Sequence, residues 1–76
     1  MANLQPKQGA AYLLLARRLK EAREAVGLTQ IAAGEKLGKP QSFISKIEQG
    51  ERRLDVIELK VIADIYAQTL DYFLET

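Results

Sequence analysis

Cysteine and histidine are both absent from the 76-residue sequence. The chain therefore cannot form disulfides, and it lacks the usual protein ligands of zinc and other transition metals. We expect no metal ion and no cofactor. The longest apolar run, Ala10 to Ala16, ends at Arg17, which is too short for a membrane span or a signal peptide. These absences predict a soluble, cytoplasmic protein without membrane association.

Groups that could perform catalysis are equally scarce. The sequence has no glycine-rich phosphate loop and no acidic pair at metal-binding spacing. Ser42 and Ser45 have no residue that could act as their base. We therefore predict that the protein is not an enzyme.

Apolar residues recur at helical spacing along most of the chain. The first stripe has steps of three and four residues and consists of Ala11, Leu15, Leu19, Ala22 and Val26. The preceding residues contain Pro6 and Gly9 and show no periodicity. We predict a flexible N-terminal arm at residues 1–9, followed by a single helical domain at residues 10–76.

Two short helices joined by a tight turn are predicted next, with Thr29 capping the first. Gly34 has no side chain to keep a second helix away. Gly38 can adopt the positive φ that ends the first helix, and Pro40 sets φ for the first turn of the second.

The second of these helices, predicted at residues 40–49, has one apolar and one polar side. Ile44 and Ile47 are expected to face the interior. The outward side carries amide, hydroxyl and cationic groups suited to the edges of DNA bases, and it consists of Gln41, Ser42, Ser45 and Lys46. The alternative interpretation is an ordinary solvated helix face.

A fourth helix, opened by Asp55 with Glu58 at capping-box spacing, has two apolar faces. The face expected in the core consists of Val56, Leu59, Ile62, Ala63 and Tyr66. The other face consists of Ile57, Val61 and Ile65. One small core cannot cover both faces, so we expect the second face to form a homodimer interface, extended by Tyr72 on a last helix at residues 70–74. The alternative is that the N-terminal arm, or the added turn around Tyr12 and Leu13, covers it.

Charge is distributed unevenly, although the net charge is only +1. Residues 36–53 carry five basic and two acidic side chains, whereas residues 54–76 carry one basic and five acidic. The predicted helix pair is therefore the positive end of the chain. Lys39, Arg52 and Arg53 flank the second helix on loops and could contact DNA phosphates, although each alone is only a surface cation.

Several sequence segments together resemble the lambda-repressor-like, Cro/CI-type domains, also called the XRE family. They are GLTQ at 27–30, EKLG at 35–38, QSFISKIEQGERR at 41–53 and LDYFL at 70–74. The resemblance covers roughly residues 15–74 and departs from the family pattern at Ala33, Gly34, Lys39 and Pro40. It implies an all-α, five-helix DNA-binding domain whose helix-turn-helix reads double-stranded DNA.

The resemblance also implies roles for individual residues. Gln41, Ser42 and Lys46 match base-reading positions, with Ser45 as a further candidate, and Gln30 matches a phosphate contact. Arg23 and Glu48 match positions that form a partly buried ion pair joining the first helix to the end of the third. The function implied is a sequence-specific transcriptional repressor, bound as a dimer to a palindromic operator.

Two other functions fit the same sequence. The second apolar face of the fourth helix could bind a different protein, as in the antitoxin half of a toxin-antitoxin pair or in a regulatory subunit. The chain could also be a helical bundle without a ligand.

Overall fold

The computed structural model describes residues 6–75, with side chains described from Gly9 onward. Within those residues the architecture is all-helical, as predicted. The five helices are α1 (Pro6–Ala25), α2 (Gln30–Leu37), α3 (Gln41–Glu48), α4 (Val56–Ile65) and α5 (Leu70–Leu74). No helix in the described range is long and apolar enough to cross a membrane.

The beginning of α1 differs from the prediction. The helix starts at Pro6 rather than near Ala10, so residues 6–9 of the predicted arm are helical. Proline is suited to the first turn of a helix, because the N–H that it lacks would have no partner inside the helix there. The other residues of the predicted arm, 1–5, lie outside the described range.

Side-chain caps fix where three of the helices begin. The Thr29 hydroxyl accepts a hydrogen bond from the Ala32 N–H at 3.0 Å. At the start of α4, Asp55 and Glu58 form the reciprocal capping box that their spacing predicts. Thr69 caps α5 by accepting from the Tyr72 N–H.

The turn between α2 and α3 depends on two glycines. Gly38 has a φ of 68° and ends α2 in the left-handed conformation. A Cβ added at Gly34 would lie 2.6 Å from the Lys39 carbonyl oxygen, so the backbone of the turn occupies the space of a side chain. Because Gly34 has no side chain, the backbone of the turn can pack directly against α2.

Helix α3 is shorter than predicted at both ends. Pro40 is its N-cap, with ψ of 160°, and Gln49 is its C-cap. The extended ψ of Pro40 places it before the first turn, and its ring offers no acceptor for a capping hydrogen bond. Gln41 is therefore the first helical residue of α3.

The core lies where α1, α3 and α4 converge with α2 and α5. Its fully buried large side chains are Tyr66, Leu19, Ile44, Ile47 and Ile62. Three residues of the stripes predicted to face the core are exposed. One is Ala11, within α1, and the other two are Val26, 39% exposed, and Val56, 63% exposed. Both valines lie at a helix end, Val26 just after the last residue of α1 and Val56 at the first residue of α4, where periodicity along the helix no longer determines burial.

Candidate nucleic-acid interface

Helix α3 presents a polar face to solvent and is held from behind by apolar side chains. Gln41, Ser42 and Lys46 are exposed. On the opposite side, Phe43, Ile44 and Ile47 are buried. Because the buried side fixes the rotation of the helix about its axis, the outward side chains project in one defined direction.

The remaining residues of the polar face form a hydrogen-bonded pair. Ser45 is half-buried, and its Oγ accepts from Gln49 Nε2 at 3.1 Å. Gln49 was missed in the sequence analysis because it lies beside the glycine that follows the helix. Its spacing of four residues from Ser45 could have identified it, since residues i and i+4 share a helix face.

A chain of side-chain contacts connects this face to the first helix. Gln41 Nε2 donates to Gln30 Oε1 at 3.1 Å, and Gln30 Nε2 donates to Glu48 Oε1 at 3.1 Å. Glu48 in turn accepts from Arg23 Nε at 2.6 Å and from Arg23 Nη2 at 3.0 Å. Three helices therefore contribute to one hydrogen-bonded network. It joins four residues that the sequence analysis singled out, namely Arg23, Gln30, Gln41 and Glu48.

The inner end of that network is closely packed. The side chains of Arg23 and Glu48 are only 8% and 3% exposed. Arg23 Nη1 also donates to the Leu28 carbonyl at 2.8 Å. The hydrogen bond to Glu48 raises the pKa of Arg23, and burial opposes that rise, so the guanidinium stays charged.

Two of the expected phosphate contacts, Lys39 and Arg52, lie on the aromatic ring of Phe43. Arg52 Cζ lies 4.6 Å from the ring centroid and Lys39 Nζ lies 5.2 Å from it. Arg52 also pairs with both carboxylate oxygens of Glu58 at 3.3 Å. The backbone hydrogen bond from Asp55 and the contact with Arg52 lower the pKa of Glu58. Both cations are exposed to solvent, and both have protein partners.

Arg53, the third cation expected to contact phosphate, lies over a different ring. Its Cζ is 5.3 Å from the centroid of Tyr12 on α1. This contact holds the basic loop after α3 against the first helix. The side chain of Arg53 remains exposed to solvent.

The expected dimer face on α4 is only partly open. Ile57 is 69% exposed and Val61 is 43% exposed, whereas Ile65 and Tyr72 are half-buried against the core. Cover by Tyr12 and Leu13, the alternative to a dimer, is not seen: the Tyr12 ring lies beside Arg53, and Leu13 is itself 64% exposed. Residues 1–5 of the arm, the other possible cover, lie outside the described range.

Comparisons with known proteins agree with this geometry. A helix-turn-helix family model matches residues 19–73. The chain is 38% identical over 60 residues to the HTH-type transcriptional regulator ImmR of Bacillus subtilis (strain 168), a match that covers 79% of this chain and 47% of that protein. The chain thus spans about half the length of this relative.

A solved structure has a similar fold. The restriction-modification controller protein C.AhdI from Aeromonas hydrophila superposes with a TM-score of 0.78 at 23% sequence identity. The superposition covers 86% of this chain and 94% of C.AhdI. At this level of identity the similarity establishes the fold.

Proposed function

The chain belongs to the helix-turn-helix family whose model matches residues 19–73, and we propose that it is a sequence-specific DNA-binding transcriptional regulator. The observation that carries the proposal is the outward face of α3, where Gln41, Ser42 and Lys46 are exposed on a helix fixed by its buried side. An α-helix fits the major groove of B-DNA, and amide, hydroxyl and cationic groups match the donors and acceptors presented there.

We assign base reading to the α3 face, namely Gln41, Ser42, Ser45 and Lys46. Glu48, when ionised, only accepts hydrogen bonds, so it orients the Gln30 amide, and Gln30 Oε1 in turn accepts from Gln41 Nε2. One N–H and the carbonyl oxygen of Gln41 are then left for a bidentate contact with adenine. The network thus prepares Gln41 for reading before DNA arrives.

We assign phosphate contacts to four residues around α3, namely Gln30, Lys39, Arg52 and Arg53. Gln30 opens α2, where free backbone N–H groups favour an anion. The three cations flank α3 on loops and are exposed. Such contacts hold the protein on DNA without regard to sequence.

We further propose that the chain acts as a homodimer on a palindromic operator. Ile57 and Val61 are exposed apolar side chains on α4 that a second copy could cover, with Ile65 and Tyr72 at the margin. A twofold axis there would present two α3 helices to successive major grooves, about 34 Å apart. Occupation of an operator by such a dimer would exclude other proteins from it, so repression is the expected outcome.

A second candidate function uses the same α4 face. Ile57 and Val61 could instead contact a different protein, as an antitoxin or a regulatory subunit would. Under that function alone, the outward face of α3 would have no preference among DNA sequences. The two functions are therefore distinguished by a DNA-binding measurement.

The test begins with selection of bound duplexes from a random pool, followed by salt titrations on the selected site and a scrambled one. Gln41→Ala should cost roughly 1 to 3 kcal/mol on the selected site, with little change on the scrambled site. Gln68→Ala, in the connection between α4 and α5, is the matched control. Equal losses on both duplexes for Gln41→Ala would refute base reading by α3.

The phosphate contacts should respond differently. Arg53→Ala should weaken binding to both duplexes alike and lower the slope of log K against log salt by about one. Lys60→Ala removes the same charge from the acidic end of the chain and should change the slope less. An Arg53→Ala slope equal to that of Lys60→Ala would refute the phosphate contact.

A further inference from the structure

A cluster of four side chains joins the first turn of α3 to the start of α4. The Phe43 ring of α3 carries Arg52 and Lys39, which come from the loop after α3 and the turn before it. Glu58 of α4 pairs with both cations, with Arg52 Nη2 at 3.3 Å and with Lys39 Nζ at 4.0 Å. One carboxylate thus organises two cations on opposite flanks of α3.

The carboxylate of Glu58 is itself fixed. Its Oε1 accepts from the Asp55 backbone N–H at 3.0 Å, and the Asp55 carboxylate accepts from the Glu58 N–H at 2.7 Å. The Glu58 side chain is only 22% exposed. A side chain bonded in this way to the N-terminus of α4 has little freedom to move. The position of the Glu58 carboxylate therefore determines where the two cations lie.

We infer that Glu58 is a positioning residue for DNA recognition. This inference rests on the proposed DNA-binding function and adds to it a residue from outside the helix-turn-helix. By holding Arg52 and Lys39 on Phe43, Glu58 fixes the first turn of α3, the turn that begins with Gln41. Each exposed ion pair or cation–π contact is weak by itself, but these contacts converge on one buried ring and restrain the same helix end.

The change in DNA affinity on removal of the Glu58 charge distinguishes a positioning role from a purely electrostatic one. Glu58 is negative and lies beside cations expected to meet phosphates, so if its charge were its only influence, removing it would strengthen binding to every DNA sequence alike. A positioning role predicts a loss of discrimination, because a loosened α3 reads its preferred bases less well. The informative quantity is the ratio of the affinities for selected and scrambled duplexes.

The experiment measures that ratio for Glu58→Gln, with Asp64→Asn as the matched control. Glutamine at this position still completes a capping box, so α4 keeps its start. Asp64 also lies on α4, but it is exposed and pairs with Lys60 at 2.7 Å. Both variants lose one negative charge. Glu58→Gln should lower the ratio roughly threefold or more, and Asp64→Asn should leave it unchanged.

Suppose that the wild type discriminates between the two duplexes but the ratio for Glu58→Gln equals that for Asp64→Asn. This result would overturn the positioning role and leave the proposed function intact. Absence of any discrimination by the wild type would overturn both. Because the ratio compares two duplexes on one preparation, a partly unfolded sample weakens both affinities by the same factor and does not alter it.

A second variant tests the contact from its other side. Arg52→Gln should also lower the ratio. The double variant should lower it by less than the product of the two single effects, because both substitutions remove the pair between Arg52 and Glu58. If Arg52 contacts only phosphate, Arg52→Gln should weaken binding to both duplexes equally and leave the ratio unchanged. That result would also overturn the positioning role.

Discussion

Removing one partner of the buried pair of Arg23 and Glu48 is expected to cost more stability than removing one partner of any exposed ion pair of the described chain. The two hydrogen bonds of the buried pair, of 2.6 and 3.0 Å, join side chains that are 8% and 3% exposed. Replacement of Glu48 by alanine leaves a guanidinium enclosed by protein, with the Leu28 carbonyl at 2.8 Å and the exposed Glu24 carboxylate at 4.0 Å as its remaining partners. Arginine cannot relieve this by losing its proton, because its pKa is above the range in which proteins remain folded.

The magnitude follows from breaking one side of a buried pair. We expect Glu48→Ala to lower the free energy of unfolding by about 3 kcal/mol or more, and Arg23→Ala by a similar amount. A domain of this size has a total stability of roughly 4 to 11 kcal/mol. Either substitution should therefore remove a large part of the stability, while replacement of both residues by apolar ones of similar volume should restore much of it.

Urea denaturation, followed by circular dichroism, measures these changes. Asp64→Ala is the matched control, because Asp64 and Lys60 form a bond of 2.7 Å between side chains that are 64% and 56% exposed. An exposed pair of this kind contributes roughly 0 to 1 kcal/mol. If Glu48→Ala and Arg23→Ala both cost less than about 1 kcal/mol, as the control should, the argument from burial is refuted.

Three further predictions concern the core, the turn and the dimer face. The Tyr66 hydroxyl is buried without a hydrogen-bond partner in the described structure, and burial raises its pKa to about 12; Tyr66→Phe should therefore be neutral or stabilising by about 1 kcal/mol. Since the unfolded tyrosine loses its proton near pH 10, wild type should lose about 2 kcal/mol of stability relative to that variant between pH 10 and 12. If urea melts gave the same difference in unfolding free energy between the two proteins at both pH values, this prediction would be contradicted. Gly34→Val should lower the free energy of unfolding by about 2 kcal/mol or more, because a Cβ there already meets the Lys39 carbonyl at 2.6 Å; an unchanged urea midpoint would count against this packing. Val61→Glu should stay folded and sediment as a monomer at tens of micromolar where wild type is a dimer, and a monomeric wild type would refute the dimer face.

The fold could be predicted from the sequence because its main determinants are local. Three-and-four spacing indicated the long first helix and the fourth helix, and the spacing from Asp55 to Glu58 predicted the capping box that the structure contains. Gly38 predicted the left-handed end of α2. Errors arose where helices end, as with Val56, because burial there depends on what the next segment covers.

The candidate site was predictable only as a set of residues. Helical spacing identified the outward face of α3, but it could not show that Gln41 donates to Gln30 or that Arg52 lies on Phe43. Such contacts join segments through side-chain rotamers, which sequence spacing does not determine. Glu58 illustrates the difficulty. Its spacing from Asp55 predicted a capping role and gave no reason to expect another, whereas its pairing with Arg52 is visible only in the folded chain.

Glu48 connects the stability of the fold to the proposed reading of DNA. One of its oxygens accepts from both Arg23 Nη2 and Gln30 Nε2, so the same carboxylate neutralises a buried cation and orients the amide that holds Gln41. Replacement of an ion pair by apolar residues can preserve stability, but no apolar side chain can accept from Gln30. A stable chain lacking Glu48 would therefore keep its fold and the cations expected to contact phosphate, while losing the orientation of Gln30 and Gln41. The need to orient Gln41 is a physical reason, separate from stability, for a charged pair at this position in the core.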